Sequence, residues 1–192
     1  MLNIHTLVLG MYQVNCYVVH KQDSDRCVVI DPGYEPEKIS AFLEKNGLQL
    51  EAILLTHGHF DHVGGVKALA EDCKVYLHEL EHTMPQALTA GPLYATDTYP
   101  AQFEVAGIEF TVLHTPGHTP GSVCLICENA MFSGDTLFAG SCGRTDLPGG
   151  DWATIGKSLA RLASLEGNFW VYPGHGPSTT LRDEKKYNPY MK

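Results

Sequence analysis

The chain has 192 residues, of which 44% are hydrophobic and 18% are charged, a balance typical of a folded domain and too apolar for a disordered chain. Its 22 acidic and 13 basic side chains give a net charge of −9, which argues against a broad basic surface for nucleic-acid phosphates. No apolar run approaches the ~20 residues that span a bilayer, and no secretory signal is visible. We therefore expect a cytoplasmic protein, folded as one domain over residues 1–192, that binds neither nucleic acid nor membranes; its oligomeric state is left open.

Short apolar runs between glycines and prolines predict ten strands, at 2–8, 16–19, 27–30, 52–55, 74–77, 103–105, 109–113, 123–127, 130–132 and 169–172. Helical spacing and end signals predict helices at 36–45, 66–71 and 151–165. Residues 81–100, with three prolines and a glycine, are predicted to form an irregular surface excursion. Strands that alternate with helices indicate an α/β or α+β fold with a mixed sheet.

The six cysteines are expected to be free thiols, mostly buried. Cys124 and Cys127 form a C-x-x-C pair, which is a pattern found in zinc and redox sites. The pair lies in an apolar, strand-like run, and strand positions three apart face opposite ways. No second pair completes a zinc site, so we interpret both as buried thiols.

Four predicted strands run into loops that carry histidine or aspartate beside glycine. The strand at 52–55 leads into His-Gly-His-Phe-Asp-His, two others lead into Pro-Gly-His, and a fourth leads into Gly-Asp. Loops after strand ends let a rigid sheet direct several side chains at one point. The candidate metal ligands are His57, His59, Asp61, His62, His118, Asp135 and His175.

These donors predict two divalent transition-metal ions. Neutral imidazole and carboxylate suit zinc, iron or manganese, whereas calcium prefers oxygen ligands. Seven candidates exceed what one tetrahedral ion can use, but two ions that share a carboxylate would use all seven and activate a water between them. His114 lies in a strand before its turn and is expected to pack rather than to bind metal. Asp31, in Asp-Pro-Gly, is interpreted as part of a simple turn.

The set of seven resembles the metallo-β-lactamase superfamily, and the resemblance extends from Asn15 to Pro189. It implies a four-layered αββα sandwich with the metals along one edge of the sheets. By matching positions, it implies one ion on His57, His59 and His118, a second on Asp61, His62 and His175, and Asp135 bridging the two. Zinc is the metal we expect, with iron or manganese as alternatives.

Two segments resemble the glyoxalase II (hydroxyacylglutathione hydrolase) branch, whose members hydrolyse S-hydroxyacylglutathione thioesters. They are Ser-Gly-Asp-Thr-Leu-Phe-Ala-Gly-Ser-Cys-Gly-Arg-Thr-Asp at 133–146 and Pro-Gly-His-Gly-Pro-Ser-Thr-Thr at 173–180. Full-length glyoxalase II carries a C-terminal helical domain that contributes to its glutathione site. Here seventeen residues follow His175 (192 − 175), with room for one short helix near 183–187. The chain is therefore similar to the short, single-domain type, and a small-molecule thioester is the expected substrate.

The resemblance and the charges imply a mechanism in which hydroxide held by both metals attacks the thioester carbonyl. Asp61 or Asp135 would orient this nucleophile and take its remaining proton. Arg144 follows Asp135 in the same segment, where it would bind a substrate carboxylate through two hydrogen bonds. The alternative for Arg144 is an ion pair with Asp146 or Asp151.

Other functions stay open on the sequence alone. A mononuclear-iron persulfide dioxygenase of the same superfamily would need only the equivalents of His57, His118 and Asp135. A metallo-hydrolase of another ester or amide and a non-catalytic metal-binding module are further alternatives. A β-lactamase is disfavoured because no secretory signal is visible. Serine or cysteine nucleophile catalysis has no support, since no G-x-S-x-G occurs.

Overall fold

Two β-sheets form the centre of the structure, a computed structural model that describes residues 1–89 and 91–192. The strands of the first sheet pair in chain order. The first three are antiparallel, and the third, fourth and fifth are parallel. They are β1 (Leu2–Leu9), β2 (Val14–Lys21), β3 (Arg26–Ile30), β4 (Gln49–Leu54) and β5 (Lys74–Tyr76).

The second sheet has six strands, and the remaining two strands form a small hairpin beside it. In chain order they are β6 (Gln102–Val105), β7 (Ile108–His114), β8 (Val123–Cys127), β9 (Ala130–Gly134), β10 (Leu137–Phe138), β11 (Ser141–Cys142), β12 (Trp170–Pro173) and β13 (Thr179–Thr180). The spatial order is β13-β12-β9-β8-β7-β6, and β10 pairs with β11. β12 runs parallel to β9, and the other pairs are antiparallel.

Within the described residues, six helices connect or cover the sheets, together with 3-10 turns at Glu79–Thr83 and Pro189–Met191. They are α1 (Pro36–Asn46), α2 (Phe60–Val63), α3 (Val66–Leu69), α4 (Gln86–Thr89), α5 (Trp152–Ala163) and α6 (Leu181–Tyr187). At the start of α5 the Asp151 side chain accepts a hydrogen bond from the Thr154 N–H, which caps the helix.

The sheets pack face to face, and a helix covers each outer face. Val28 and Ile30 of β3 meet Phe132 of β9 between the sheets. Because successive strand residues face opposite ways, Val29 points outward, where it packs with Ile39 of α1. The outer face of the second sheet packs in the same way against α5. The predicted four-layered αββα sandwich is therefore confirmed.

The ten predicted strands are all present, and the structure adds the two-residue strands β10, β11 and β13. The helix predicted at 66–71 ends earlier, at Leu69, and the separate turn α2 precedes it. The excursion at 81–100 holds α4 and most of a 3-10 turn, and Glu81 within it is fully buried. Ala90 belongs to that predicted excursion and lies outside the described residues.

All six cysteines are free. Cys124 packs in the cluster beneath α5, whereas Cys127 packs between the sheets. The two thiols of the C-x-x-C pair therefore face opposite sides of the second sheet, as the strand periodicity predicted. Among the described residues, no helix has the length and apolar character needed to cross a bilayer.

Candidate metal centre

The loops after four strands meet at one edge of the sandwich. β9 and β12 run parallel, so their carboxyl ends lie side by side, and the Gly174 N–H donates to the Gly134 carbonyl over 2.9 Å. A β-bridge between Val14 and His175 joins this edge to the first sheet. The predicted donors that these loops carry are His57 and His59 after β4, His118 after β7, Asp135 after β9 and His175 after β12.

The short helix α2 carries the two remaining donors. It begins at Phe60, directly after His59, and includes Asp61 and His62. The His62 ring is buried against the loop after β12, where a Cβ on Gly174 would lie 2.6 Å from His62 Cε1. Glycine at position 174 therefore allows the ring and this loop to approach each other.

The seven predicted side chains are neighbours in space. They form three overlapping groups whose donor atoms lie within 4.8 Å of one another. The first group contains only buried histidines, and the third is partly exposed. The groups are His57, His59 and His118; His57, His62 and Asp135; and Asp61, His62 and His175.

Several distances between donors exceed those of hydrogen bonds. Asp135 Oδ1 lies 3.4 Å from His62 Nε2, and Asp135 Oδ2 lies 3.6 Å from His118 Nε2 and 3.7 Å from His175 Nε2. Hydrogen bonds of this type are usually about 2.9 Å long, whereas two ligands of one tetrahedral zinc ion are separated by roughly 3.4 Å. The two oxygens of Asp135 therefore face both ends of the cluster at distances that suit shared cations.

Unpartnered buried atoms also point to cations. Five buried side-chain polar atoms lack a hydrogen-bond partner among the described residues, although such atoms are nearly always satisfied. One of them, Glu51 Oε2, forms an ion pair with Arg26. The other four belong to the cluster: His57 Nε2, His59 Nε2, His62 Nε2 and Asp135 Oδ1. Imidazole nitrogens and a carboxylate oxygen left free in this way fit a divalent transition metal.

Hydrogen bonds at the opposite ring nitrogen orient three of the histidines. The Nδ1–H of His118 donates to the Arg144 carbonyl over 2.8 Å, and that of His175 donates to the Tyr12 carbonyl over 3.1 Å. The Nδ1–H of His62 donates to Asp31 Oδ2 over 2.9 Å. Each bond leaves an Nε2 lone pair directed into the cluster, which is the usual arrangement around metal-binding histidines.

The interpretation of Asp31 as part of a simple turn is wrong. Its side chain is buried and accepts hydrogen bonds from the Thr56 N–H at 2.8 Å, the Thr56 hydroxyl at 2.6 Å and the His62 ring. The Thr56 hydroxyl also lies 3.1 Å from His57 Nδ1, so Asp31 supports two histidines. The available signal was that Asp31, like the predicted donors, follows a strand end and has a glycine nearby.

Burial and neighbouring charges divide the histidines into two kinds. Burial lowers the pKa of His57 well below its usual value and that of His59 to about 4, and neighbouring histidines add to both shifts. Burial alone would also lower the pKa of His62 and His175, but aspartates outweigh it and raise both values. The opposing effect of His62 likewise overcomes burial and lowers the pKa of Asp135. The metal-free centre thus disfavours protons on His57 and His59 and favours them on His62 and His175, beside its carboxylates.

An open cavity of about 490 Å³ leads to Asp61, Asp135 and His175. Its wall includes Arg144, whose guanidinium makes two 2.7 Å hydrogen bonds with the Asp146 carboxylate. The structure therefore shows the ion pair considered for Arg144, while its side chain still borders the cavity. The backbone carbonyl of Arg144, which the sequence did not single out, is the acceptor for His118.

His114 lies away from the donor cluster. Its Nε2–H donates to the Pro120 carbonyl over 2.8 Å, and its ring stacks on that of His78 with centroids 4.3 Å apart. It does not occur in the groups of possible ligands among the described residues. The expectation that His114 packs is consistent with these contacts.

The sequence model of the metallo-beta-lactamase superfamily matches residues 9–175. The chain belongs to this superfamily. Superfamily membership, together with the donor cluster, makes it a metallo-hydrolase in the broad sense of that group.

Curated relatives that match nearly end to end include two with functional names. A probable metallo-hydrolase, YqgX of Bacillus subtilis, is 36% identical, with 95% of this chain and 94% of that protein covered. The hydroxyacylglutathione hydrolase GloC of Haemophilus influenzae is 33% identical, with 99% of this chain and 98% of that protein covered. Both resemble this chain in length as well as in sequence.

Solved structures of superfamily members are also similar. The B3 metallo-beta-lactamase BLEG-1 has a TM-score of 0.89 at 36% identity and covers 99% of this chain and 100% of its own. TTHA1623 in a di-iron-bound form has a TM-score of 0.86 at 43% identity, with 97% and 99% covered. ETHE1 from Myxococcus xanthus has a TM-score of 0.80 at 26% identity, with 97% and 83% covered. The similar structures thus carry different names.

Proposed function

We propose that this chain is a hydrolase that holds two divalent transition-metal ions and cleaves small thioesters of the S-hydroxyacylglutathione type. The observation that carries the proposal is the position of Asp135. Its Oδ2 lies 3.6 Å from Nε2 of His118, in the first group, and 3.7 Å from Nε2 of His175, in the third, while its Oδ1 lies 3.4 Å from Nε2 of His62, also in the third. A carboxylate in that position suits a ligand shared by two ions.

The proposed first ion has His57, His59 and His118 as ligands, and Asp135 completes its coordination. The proposed second ion has Asp61, His62 and His175, with Asp135 again. Support comes from the unpartnered nitrogens in the first group and from the carboxylate in the second. Zinc is the metal we propose, and the di-iron form of TTHA1623 makes iron the first alternative to test.

The bound ions would supply an activated water and positive charge for the oxygen of the substrate carbonyl. Asp61 and Asp135 provide the carboxylates that orient the nucleophile. Asp61 Oδ2 lies 3.2 Å from His175 Nε2 and borders the cavity, so it is placed to receive a proton on the side from which substrate enters. A thiolate leaves without a strong general acid, which suits a cavity wall that offers no other buried acid among its described residues.

The cavity supports a small substrate. Its volume of about 490 Å³ falls within the range of small-molecule sites, and Tyr12, Phe60 and Phe138 give it an apolar wall. Arg144 would bind a substrate carboxylate by exchanging its bond to Asp146. GloC, which is named a hydroxyacylglutathione hydrolase, matches this chain over 99% of its residues and 98% of its own, and this supports a thioester substrate.

The experiment measures metal content and thioester cleavage on the same zinc-loaded protein. We expect two ions per chain and hydrolysis of S-lactoylglutathione, or a related small thioester, in the absence of oxygen. His175→Ala should lower the rate by on the order of 100-fold through loss of the second ion.

A mononuclear-iron dioxygenase would give a different result. It would need only His57, His118 and Asp135, would consume oxygen with a persulfide, and would leave thioesters intact. Cleavage of a β-lactam or an oxygen ester, with thioesters untouched, would instead assign the same centre to another ester or amide. Either result would overturn the proposed substrate class.

A further inference from the structure

Glu81 is a buried carboxylate that lies outside the seven donors. It belongs to the 3-10 turn Glu79–Thr83, and its side chain is fully buried. Its Oε2 accepts a hydrogen bond from the Gly58 N–H over 2.6 Å, and its Oε1 accepts one from the Gly121 N–H, also over 2.6 Å. One side chain thus connects the loop after β4 with the loop after β7.

Those two loops carry all three histidines of the first group. Gly58 stands between His57 and His59, and Gly121 follows His118 by three residues. The approach of the carboxylate depends on glycine at both ends, because a Cβ on Gly58 would lie 2.9 Å from Oε2 and a Cβ on Gly121 would lie 2.8 Å from Oε1. The arrangement therefore requires glycine at specific positions of two separate loops.

The turn that carries Glu81 is itself held against the second loop. His78 caps the turn by accepting a hydrogen bond from the Leu80 N–H over 3.2 Å. The His78 ring stacks on His114, which donates to the Pro120 carbonyl. Because these contacts limit the freedom of the turn, Glu81 can set the distance between the two loops.

The negative charge of Glu81 also relates this residue to the first group. Within residues 1–89 and 91–192, no ion pair between Glu81 and a lysine or arginine is present. A buried carboxylate is costly unless donors or a positive charge compensate it. The Gly58 and Gly121 N–H groups donate to this carboxylate, and a cation held by the first group, on the same two loops, would add a positive charge.

We propose that Glu81 is a positioning residue for the ion held by His57, His59 and His118. It holds the two loops in register so that the three ring nitrogens converge, and it adds negative charge behind a set of neutral ligands. This inference rests on the metal centre proposed above. A purely structural clamp would instead stabilise the fold without distinguishing the two ions.

The test is a chelator-competition titration of the metal-free full chain with Zn²⁺, which yields an affinity for each ion. Glu81→Gln keeps the shape of the side chain but places an amide N–H₂ against one backbone N–H. We expect the affinity for one ion to fall by about 10- to 100-fold, as when a hydrogen-bonding partner behind a ligand is lost. The affinity for the other ion should change by less than about threefold.

Combining Glu81→Gln with a second substitution identifies which of the two ions is affected. In the His175→Ala background, which weakens the second ion, Glu81→Gln should still lower the affinity for the ion that remains. In the His118→Ala background, which disables the first, Glu81→Gln should have no further effect, because coupled residues lose their separate contributions when one is removed.

Glu184→Gln is the matched control. Glu184 is another buried carboxylate that accepts a backbone hydrogen bond, from the Gly140 N–H over 2.8 Å, and it also accepts from Thr179 and Asn188. We expect its amide variant to lower the thermal unfolding midpoint and to keep both metal affinities.

Amide hydrogen exchange on the metal-free protein distinguishes a local effect on the two loops from a loss of stability of the whole fold. Amide exchange at Gly58 and Gly121 should accelerate in Glu81→Gln while β2 and β9 stay protected. The inference is overturned if both affinities fall equally, if neither falls, or if the whole chain exchanges faster. If the wild-type chain itself binds fewer than two ions, the proposed function fails instead.

Discussion

Replacing Asp31 by asparagine changes one buried atom behind the metal centre. In the wild type, Asp31 Oδ2 accepts hydrogen bonds from His62 Nδ1 at 2.9 Å and from the Thr56 hydroxyl at 2.6 Å, while Oδ1 accepts from the Thr56 N–H at 2.8 Å. An amide nitrogen in place of Oδ2 would face the His62 N–H with another donor. Flipping the amide moves the same conflict to the Thr56 N–H.

His62 can relieve the conflict by moving its proton to Nε2, the atom directed into the cluster. That proton would block the lone pair proposed to bind the second ion. Loss of such a carboxylate–histidine contact costs about 10- to 100-fold in metal affinity, which corresponds to about 1.4–2.8 kcal/mol. We therefore expect Asp31→Asn to weaken the ion assigned to Asp61, His62 and His175 by this amount.

The assay is chelator competition with Zn²⁺ on metal-free protein. Thr56→Val provides the comparison, because it keeps the contact between Asp31 and His62 and removes the one to His57 Nδ1. It should have the smaller effect on the second ion. Wild-type affinity for both ions in Asp31→Asn would refute the role assigned to this carboxylate.

Three further predictions concern the same centre. Asp135→Ala should weaken both ions together, because its two oxygens face both groups; near-normal metal content and activity by elemental analysis and thioester assay would contradict the bridging role. His114→Ala should keep two ions at saturating metal, and complete metal loss would show that its packing contacts were misread. As the pH is lowered from neutral, the second ion should leave first, because the raised pKa values of His62 and His175 make protons compete for that site, whereas the pKa of His59 is lowered to about 4. Simultaneous release in a pH-dependent zinc titration would contradict that order.

The sequence predicted the donors because they follow regular strands. Short apolar runs located β4, β7, β9 and β12, and glycine beside histidine or aspartate marked the loop after each. The αββα layers followed from the family resemblance, and the opposite orientations of Cys124 and Cys127 followed from strand periodicity alone.

The supporting residues were harder to predict because their roles depend on contacts distant in sequence. Asp-Pro-Gly is an ordinary turn signal, and Asp31 contacts His62 only because the segment after β3 lies against α2, where the Gly33 N–H donates to the His62 carbonyl. Glu81 lies in an irregular stretch without periodicity, yet the chain buries it between two loops. For Arg144 the sequence allowed either a substrate carboxylate or an acidic neighbour as the partner. The ion pair with Asp146 depends on the local path of the loop. Four-residue helices such as α2 are too short for a periodic signal.

The central claim is a centre of two metal ions that hydrolyses a thioester. The most direct measurement determines zinc per chain and S-lactoylglutathione cleavage on one anaerobic sample of the protein, with His175→Ala in parallel. We expect two ions and turnover in the wild type, and one tightly held ion with a rate lower by on the order of 100-fold in the variant. Full activity with one ion, or activity only with iron and oxygen, would contradict it.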